Sequence, residues 1–411
     1  MHIVMVSDLE TQGGAAIAAS RLAQALCHLG HKVTRIVNRG DGAEHNWRTA
    51  QLSFAPYDRV AKRVLPSPIF KTAAGRFYKI KLANILKTLR PDVINVHNLH
   101  CAAPLGWSPA LTEACLSWAP TVWTLHDMWS FTGRCAYSYD CRKFIEGCDA
   151  RCPTPYEYPV LAPRLIKRAW RMRQSLLASN SRLTAITPSH WLAREAQAGL
   201  WIKHRVESIP NGLPLKIFRP VTRAFAREAL GICAQGAVLL VVAVHLAERR
   251  KGGDLLVSAL PRVTPRPLTI ITLGTGRLAI ESEGVHMHSL GYVDHERTRV
   301  LAYNAADMLV HPAPVDNLPN VVMESIACGT PVVAFPAGGI PEMVRPGKTG
   351  WIADEVSFES FREALDRALN DLKQSSDLRQ ACRSFAEDEW SDEIQAKRYL
   401  ALINDIQRQR I

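Results

Sequence analysis

Short apolar runs alternate with stretches of helical periodicity along most of the chain. Residues 2–6 (HIVMV) form an apolar run, a glycine-containing turn follows, and small and apolar residues recur at helical spacing over 15–29. Residues 32–38 (KVTRIVN) supply the next apolar run. A strand, a helix and a second strand in this order predict a βαβ unit, which implies a parallel sheet covered on both faces.

The alternation continues through the first half of the chain. It predicts helices at 79–89 and 164–178, with Ser189 as the N-cap of another helix, and strands at 92–97, 121–127 and 182–188. Residues 129–163 break the rhythm with an insertion rich in Cys, Tyr and Pro.

A second alternating series occupies the other half of the chain. Its predicted strands cover 237–244, 267–274, 306–312 and 331–336. Its predicted helices cover 253–260 and 321–328, and a last helix covers 394–408. The pattern predicts an α/β protein of two Rossmann-like domains with a cleft between them and a boundary near residues 210–212. In such sheets ligands bind at the carboxyl ends of the strands.

Composition agrees with a globular protein of two domains. The 411 residues are 47% hydrophobic and 21% charged, with a mean hydropathy of −0.06. We expect no spanning helix, since no window offers about 18 uninterrupted apolar residues. The N-terminal residues 1–8 (MHIVMVSD) indicate a strand rather than a signal peptide. We therefore predict a cytoplasmic protein, with peripheral attachment at the inner membrane face as a further hypothesis.

The net charge of +12 is unevenly distributed. Residues 1–210 hold 27 Lys and Arg against 14 Asp and Glu, whereas 211–411 hold 23 against 24. The basic residues concentrate in 59–90 and 164–173. A one-sided basic surface suggests an anionic partner such as acidic lipid, a lipid diphosphate or nucleic acid, and an ordinary solvated surface is the alternative.

Three segments carry candidate phosphate-binding groups. Gly14 lies in the turn 11–16 (TQGGAA) between the first strand and helix, where glycines let the backbone approach a ligand. The turn lacks the G-x-G-x-x-G pattern of nicotinamide-binding folds. Arg250 and Lys251 follow a strand and precede a helix, where they can neutralise a diphosphate.

The third segment, 311–344, contains two carboxylates eight residues apart. Asp316 lies in a loop after a strand, from which it can reach a sugar hydroxyl. Glu324 lies on the following helix and can bind ribose hydroxyls, while the N–H groups of Asn320 and Val321 at the helix start suit a phosphate. His126 ends a strand of the first domain and is a further candidate for sugar or acceptor contact.

Four of the ten cysteines cluster within the insertion, at Cys135, Cys141, Cys148 and Cys152. Their spacing, C-x5-C-x6-C-x3-C, is compatible with a tetrahedral structural zinc site, with two disulfides or with four free thiols. The other six are expected to be small core residues, namely Cys27, Cys101, Cys115, Cys233, Cys328 and Cys382.

Together these segments resemble glycosyltransferase family 4, the retaining nucleotide-sugar enzymes of the GT-B fold. The resemblance covers nearly the whole chain and is most specific at 316–334 (DNLPNVVMESIACGTPVVA), which looks like the family's E-x7-E motif. The Cys-rich insertion is similar to that of enzymes building colanic-acid-type exopolysaccharides. The resemblance implies an acceptor-binding domain over 1–206, a nucleotide-sugar-binding domain over 207–390, and a C-terminal helix, 391–411, that packs back on the first domain.

The resemblance also implies roles for the candidate residues. Glu324 would hold the donor ribose, Asp316 and His126 would contact the transferred sugar, and the family usually works without a catalytic metal. Arg250 and Lys251 would bind the diphosphate, with Gly14 near the phosphates. The chain departs from the family at Asp316, where Glu is usual, and at His245, where Arg is common.

A retaining hexosyltransferase is thus the predicted enzyme, with a UDP- or GDP-sugar as donor and a lipid-linked or polysaccharide acceptor. A nucleotide-sugar epimerase of the same fold is one alternative, although the segment around Asp316 and Glu324 argues against it. A basic nucleic-acid-binding protein is another, but no recognition motif or aromatic platform supports it. Nucleic acid is therefore not an expected partner.

Overall fold

A computed structural model describes residues 1–52, 67–100, 109–372 and 377–409, with 67–74 described by their backbone only. The chain divides into two compact units: Met1–Gly212 with Glu393–Ile411 form unit 1, and Leu213–Asp392 form unit 2. Each unit contains one parallel sheet flanked by helices. This confirms the predicted class of two Rossmann-like α/β domains whose last helix belongs with the first.

The sheet of unit 1 has seven strands, and every neighbouring pair is parallel. The strands are β1 (His2–Leu9), β2 (Lys32–Arg39), β3 (Arg48–Gln51), β4 (Val93–Val96), β5 (Thr121–Thr124), β6 (Thr184–Thr187) and β7 (Val206–Ser208). Their order is β3-β2-β1-β4-β5-β6-β7, so the chain reverses its direction of progress between β1 and β4. Strands β4, β5 and β6 are buried at every residue, as the inner strands of a covered parallel sheet are.

Helices cover this sheet, and one of them comes from the end of the chain. They are α1 (Gly14–His28), α2 (Ser67–Leu89), α3 (Ala110–Leu116), α4 (Lys143–Glu146), α5 (Pro163–Ala178) and α6 (His190–Ala198). Ser189 caps α6 as predicted, since its side chain accepts a 3.1 Å hydrogen bond from the amide of Leu192. In the C-terminal helix (Asp392–Arg408), the Tyr399 hydroxyl lies 3.1 Å from the Thr124 hydroxyl on β5.

Unit 2 repeats the architecture with six parallel strands. They are β8 (Ala237–His245), β9 (Leu268–Thr275), β10 (Val285–Gly291), β11 (Met308–His311), β12 (Val332–Ala334) and β13 (Gly350–Ile352). Their order is β10-β9-β8-β11-β12-β13, which places the reversal between β8 and β11. The helices are α7 (Arg223–Ala229), α8 (Gly253–Ala259), α9 (Glu296–Ala305), α10 (Asn320–Ala327), α11 (Ile340–Met343), α12 (Phe358–Asp371) and α13 (Leu378–Glu389), and the C-terminal helix is α14.

Four strands escaped the sequence analysis: β3, β7, β10 and β13. All four lie at the edges of the two sheets. Edge strands expose one side and need no long apolar run, and β10 indeed holds two histidines and a serine among its seven residues. Hydrophobic patterning therefore found the centres of the sheets and missed their margins.

The structure corrects one expectation about the scattered cysteines. Cys115, Cys328 and Cys382 are buried as expected and Cys27 is half-buried, but Cys233 is exposed, because it lies in a loop before β8 rather than in the core. Cys101 lies outside the described residues, as do Arg59, Lys62 and Arg63 of the basic cluster. In the part of the chain that the structure describes, no helix is long and apolar enough to span a membrane.

Candidate active site

In unit 2, two loops that follow the central strands bring opposite charges together. Lys251 lies in a short 3-10 turn (Arg249–Lys251) after β8, and Asp316 lies in the loop after β11. The Lys251 ammonium is 2.7 Å from Oδ2 of Asp316, and the Arg250 guanidinium is 3.7 Å from the same oxygen. These loops leave the carboxyl ends of β8 and β11 at the reversal of strand order, where open α/β sheets bind ligands.

Two glycines allow the loops to pack this closely. Gly252 has a φ of +71°, and a Cβ there would lie 1.8 Å from the carbonyl oxygen of Pro312. Gly338 has a φ of +62°, and a Cβ there would lie 1.8 Å from the carbonyl oxygen of Asp316. A side chain at either position would force the backbone apart.

The Asp316 carboxylate is almost fully buried, and it is ionised. Burial opposes its ionisation, but the charges of Lys251 and Arg250 outweigh burial and hold the pKa of this carboxyl well below its usual range. Its other oxygen accepts a 3.0 Å hydrogen bond from the amide of Asn317. His311, 3.7 Å from Asp316, is buried at the end of β11, and burial lowers its pKa to about 4. The imidazole is therefore neutral at physiological pH.

The second predicted carboxylate has a different environment. Glu324, on α10, is only 1% exposed, and its Oε2 accepts a 2.9 Å hydrogen bond from the Tyr303 hydroxyl. Its Oε1 lies 3.8 Å from the Arg299 guanidinium. Both partners come from one face of α9, four residues apart. Arg299, Tyr303 and His311 were not predicted from the sequence; the i, i+4 spacing of an Arg and a Tyr was the available signal for the first two.

Asn320 and Val321 form the first turn of α10, which begins after Pro319. The N-terminal end of a helix carries a partial positive charge and presents backbone N–H groups to anions. Unit 2 thus combines two cationic side chains and a helix N-terminus around the Asp316 loop. An arrangement of this kind can hold a diphosphate while a carboxylate contacts the group attached to it.

In unit 1, Gly14 is the first residue of α1, directly after β1 and its turn. A hydrogen-bonded network around buried Glu10 fixes that turn. Glu10 accepts hydrogen bonds from the Trp47 indole (3.0 Å) and the Asp41 amide (3.1 Å), and Asp41 accepts one from Thr11 (2.7 Å). His45 lies 3.0 Å from Asp41, so Glu10, Asp41 and His45 form the one group of three carboxylate or imidazole ligands found in close proximity among the described residues. The carboxylate oxygens already accept these protein donors.

His126 follows β5 and lies beside a second histidine. Its Nε2 is 2.9 Å from Nδ1 of His97, which follows β4. Burial lowers the pKa of His126 to about 4, although the Asp127 charge acts in the opposite direction. Asp127 in turn lies 3.0 Å from the ring of His100. The neutral His126 ring can exchange hydrogen bonds with sugar hydroxyls without adding charge.

Comparison with known proteins assigns the family. Residues 12–216 match the family model described as Glycosyltransferase Family 4, and residues 236–371 match the model described as Glycosyl transferases group 1. The chain therefore belongs to glycosyltransferase family 4, as its motifs implied. It is a glycosyltransferase, and the epimerase and nucleic-acid alternatives are not favoured.

Two relatives illustrate the range of the family. The chain is 26% identical over 380 residues to WcaC of Escherichia coli K12, which carries the name of a colanic acid biosynthesis glycosyl transferase; the alignment covers 85% of this chain and 87% of WcaC. It is 30% identical over 217 residues to a GDP-mannose-dependent α-(1-6)-phosphatidylinositol monomannoside mannosyltransferase of Mycolicibacterium smegmatis. That alignment covers 48% of this chain and 56% of the relative.

Solved structures share the fold. Sucrose-phosphate synthase of Thermosynechococcus elongatus matches over the whole of both chains with a TM-score of 0.71 at 19% identity. HepE of Anabaena, solved in complex with UDP-glucose, matches with a TM-score of 0.68 at 16% identity, over 98% of this chain and 100% of HepE. The fold is that of the GT-B glycosyltransferases.

Proposed function

We propose that this glycosyltransferase takes its sugar from a nucleotide diphosphate bound by unit 2. The observation that carries the proposal is the Asp316 carboxylate held by Lys251 and Arg250 beside the N-terminus of α10. Lys251 and Arg250 are partly exposed, at 19% and 29%, so their cationic groups can also reach a bound anion. A lysine offers three N–H donors and can bind Asp316 and a phosphate oxygen together.

Each candidate residue then has a distinct part. Arg250, Lys251 and the first-turn amides of Asn320 and Val321 bind the diphosphate. Glu324, oriented by Tyr303, holds the ribose. In unit 2, Asp316 contacts the transferred sugar. In unit 1, His126 is proposed to contact a sugar hydroxyl, and Gly14 to let the backbone approach a phosphate. UDP and GDP are the favoured nucleotides, because HepE was solved with UDP-glucose and the Mycolicibacterium relative is GDP-mannose-dependent.

The reaction is proposed to retain the anomeric configuration by front-face displacement. The bond from the anomeric carbon to the diphosphate oxygen breaks, and the acceptor oxygen forms its bond to the same face of that carbon. The acceptor proton passes to the departing phosphate oxygen. Arg250 and Lys251 stabilise the negative charge that grows on the diphosphate, so the step requires no catalytic metal.

The acceptor is proposed to be a saccharide that is either lipid-linked or part of a polysaccharide. The enzyme is proposed to meet it at an anionic membrane surface. Helix α5 exposes Arg164, Lys167, Arg168 and Arg171. Just before it, Tyr156, Tyr158 and Val160 are 75%, 55% and 67% exposed. Basic side chains next to exposed aromatic and apolar ones suit the headgroup region of an anionic bilayer.

A thermal-shift screen against UDP-, GDP-, ADP- and dTDP-sugars tests the donor proposal. A donor that binds the folded state raises the midpoint as its concentration exceeds the dissociation constant. We expect one nucleotide family to raise it in the wild type and to have no effect on Glu324→Ala. If no donor raises it, alone or with saccharide acceptors present, the proposal is wrong.

Two further experiments test the finer points. Product analysis by NMR should show the anomeric configuration of the donor, and an inverted product would rule out front-face displacement. Flotation should show binding to vesicles containing phosphatidylglycerol but not to neutral ones. Replacing the four α5 cations by glutamine should abolish that binding, and equal binding to neutral vesicles would contradict an electrostatic contact.

A further inference from the structure

Four cysteines of unit 1 converge although they are spread over 18 positions of irregular chain. Cys135, Cys141, Cys148 and Cys152 all line one cavity, together with Phe144 and Ile166. The surrounding insertion contains the 3-10 turn Met128–Ser130 and the single-turn helix α4 as its regular elements. The four cysteines thus come together around one cavity in a segment with little regular secondary structure.

The sulfur atoms of the cluster interact directly. A side-chain hydrogen bond joins Cys135 to Cys152, and burial raises the pKa of Cys135 to about 12 and that of Cys148 to about 11. The Gly133 amide is hydrogen-bonded to Cys148, and a Cβ at Gly133 would lie 2.6 Å from the Cβ of Cys148. No three of the four sulfurs, all of which belong to described residues, lie within 4.8 Å of one another.

Two buried cations adjoin this cluster. Arg134 and Arg173 are only 2% and 3% exposed. Arg134 donates to the carbonyl oxygens of Pro159 (3.2 Å), Glu157 (3.1 Å) and Thr154. Arg173 donates to those of Ala169 (2.9 Å) and Gly133 (3.4 Å) and lies over the Trp129 ring.

Neither arginine has a carboxylate partner within ion-pair distance among the described residues. Burial lowers the pKa of Arg173 to about 10, and the more distant Asp127 charge acts in the opposite direction. Burying a charge without a counter-charge is costly. Four neutral thiols add no negative charge beside the two guanidinium groups. A zinc ion bound by four thiolates carries a net charge of about −2, which matches the two arginines.

We propose that Cys135, Cys141, Cys148 and Cys152 bind one zinc ion in a closed, structural tetrahedral site. Binding takes one Zn²⁺ and releases four thiol protons, with no change of oxidation state. Zn–S bonds of about 2.3 Å place tetrahedral sulfurs about 3.8 Å apart, so the sulfurs draw together by roughly 1 Å or more when the ion binds. The Gly133 amide then donates to a thiolate, as outer-shell groups of metal sites do.

The site also connects the insertion to His126. Arg173 lies 4.2 Å from the Trp129 ring, and His100 packs on the same ring with centroids 4.8 Å apart. His100 lies 3.0 Å from Asp127, the residue after His126. Zinc would thus hold these side chains in position indirectly, and it would be neither a catalytic ion nor a requirement of the donor proposal.

Metal analysis of the full chain tests the proposal. We expect one zinc per chain, retained on dialysis, in protein purified without chelator. Cys141→Ser should lose it, and Cys233→Ser, which alters an exposed cysteine of unit 2, should keep it. Cobalt loading should give the intense visible bands of tetrahedral tetrathiolate Co²⁺.

The wild-type protein suffices if the cysteine variants fail to fold. A mercurial reagent should release one zinc as four thiols react, measured with a chromogenic chelator. Substoichiometric zinc that zinc supplementation does not increase would overturn the proposal in favour of free thiols. An intact mass four hydrogens below that of the reduced chain would overturn it in favour of two disulfides. Both results leave donor binding unaffected, so they can be told apart from a failure of the donor proposal.

Discussion

Lys251 and Asp316 are 65 residues apart in the chain, yet the Lys251 ammonium lies 2.7 Å from the Asp316 carboxylate. The pair exists because β8 and β11 are neighbours at the reversal of the second sheet, and each residue follows one of these strands. It joins the group proposed to bind the diphosphate to the group proposed to contact the sugar. A change at either residue should therefore affect both groups.

Replacing Lys251 by methionine should reduce kcat/KM by a factor of about 10² to 10³, because one preorganised charge on the leaving group is lost. It should also lower the free energy of unfolding by about 1–3 kcal/mol, because buried Asp316 loses its nearest donor. Steady-state kinetics and urea unfolding measure the two effects. Arg249→Gln is the matched control, since Arg249 is an exposed cation in the same turn. An equal loss of kcat/KM in both variants would mean that the net charge of the turn matters and the position of Lys251 does not.

Gly338→Ala should damage the site through the backbone of Asp316. The new Cβ would lie 1.8 Å from the Asp316 carbonyl oxygen, so the loop must move. Gly347 has a similar φ of +73°, but a Cβ there would have no neighbouring atom within 4 Å. Gly347→Ala should therefore cost only about 1 kcal/mol of conformational strain and retain activity. Activity assays and thermal unfolding check the contrast, and comparable activity in the two variants would contradict it.

Tyr303→Phe should show how much donor binding depends on the orientation of Glu324, because it keeps the carboxylate and removes a hydrogen bond to it. The variant removes a hydrogen bond to a buried carboxylate, which is worth about 1.5–3 kcal/mol of stability. It should weaken donor binding in a titration calorimeter, but less than Glu324→Ala does. Tyr292→Phe, at an exposed tyrosine, should change neither property. Wild-type donor affinity in Tyr303→Phe would show that Glu324 needs no help from this tyrosine.

Stability should fall as the pH falls from about 6.5 to about 4. Burial lowers the pKa of both His126 and His311 to about 4, whereas unfolded histidine titrates near 6.5. In this interval the unfolded chain binds more protons, so the free energy of unfolding decreases by about 1–2 kcal/mol per histidine between pH 7 and 5. Urea unfolding at the two pH values should show a smaller decrease in His311→Gln than in wild type. An equal decrease in the free energy of unfolding in His311→Gln and wild type would contradict the lowered pKa of His311.

The sequence predicts the centres of both sheets well, for a physical reason. Strands buried on both faces are mainly apolar, as in β4 (VINV) and β11 (MLVH), and turns after such strands mark ligand sites. Arg250, Lys251 and Asp316 were found in this way, each from its own segment. The contact between these residues was not predicted, because the order of the strands in the sheet decides which loops meet.

Glu324 shows a second limit. Its motif identified it, but Tyr303 and Arg299, which contact its carboxylate, share only an i, i+4 spacing that is common in helices. The four clustered cysteines show a third limit. Their spacing left zinc, disulfides and free thiols open, and the buried arginines that bear on the choice become visible only in three dimensions.

Calorimetric titration with UDP and GDP most directly tests the claim that unit 2 binds a nucleotide diphosphate through Arg250 and Lys251. We predict that one of the two binds wild type and Arg249→Gln alike, and binds Lys251→Met at least about tenfold more weakly, a loss of about 1.4 kcal/mol or more. Equal affinity in all three proteins, or binding of neither nucleotide to the wild type, would contradict it.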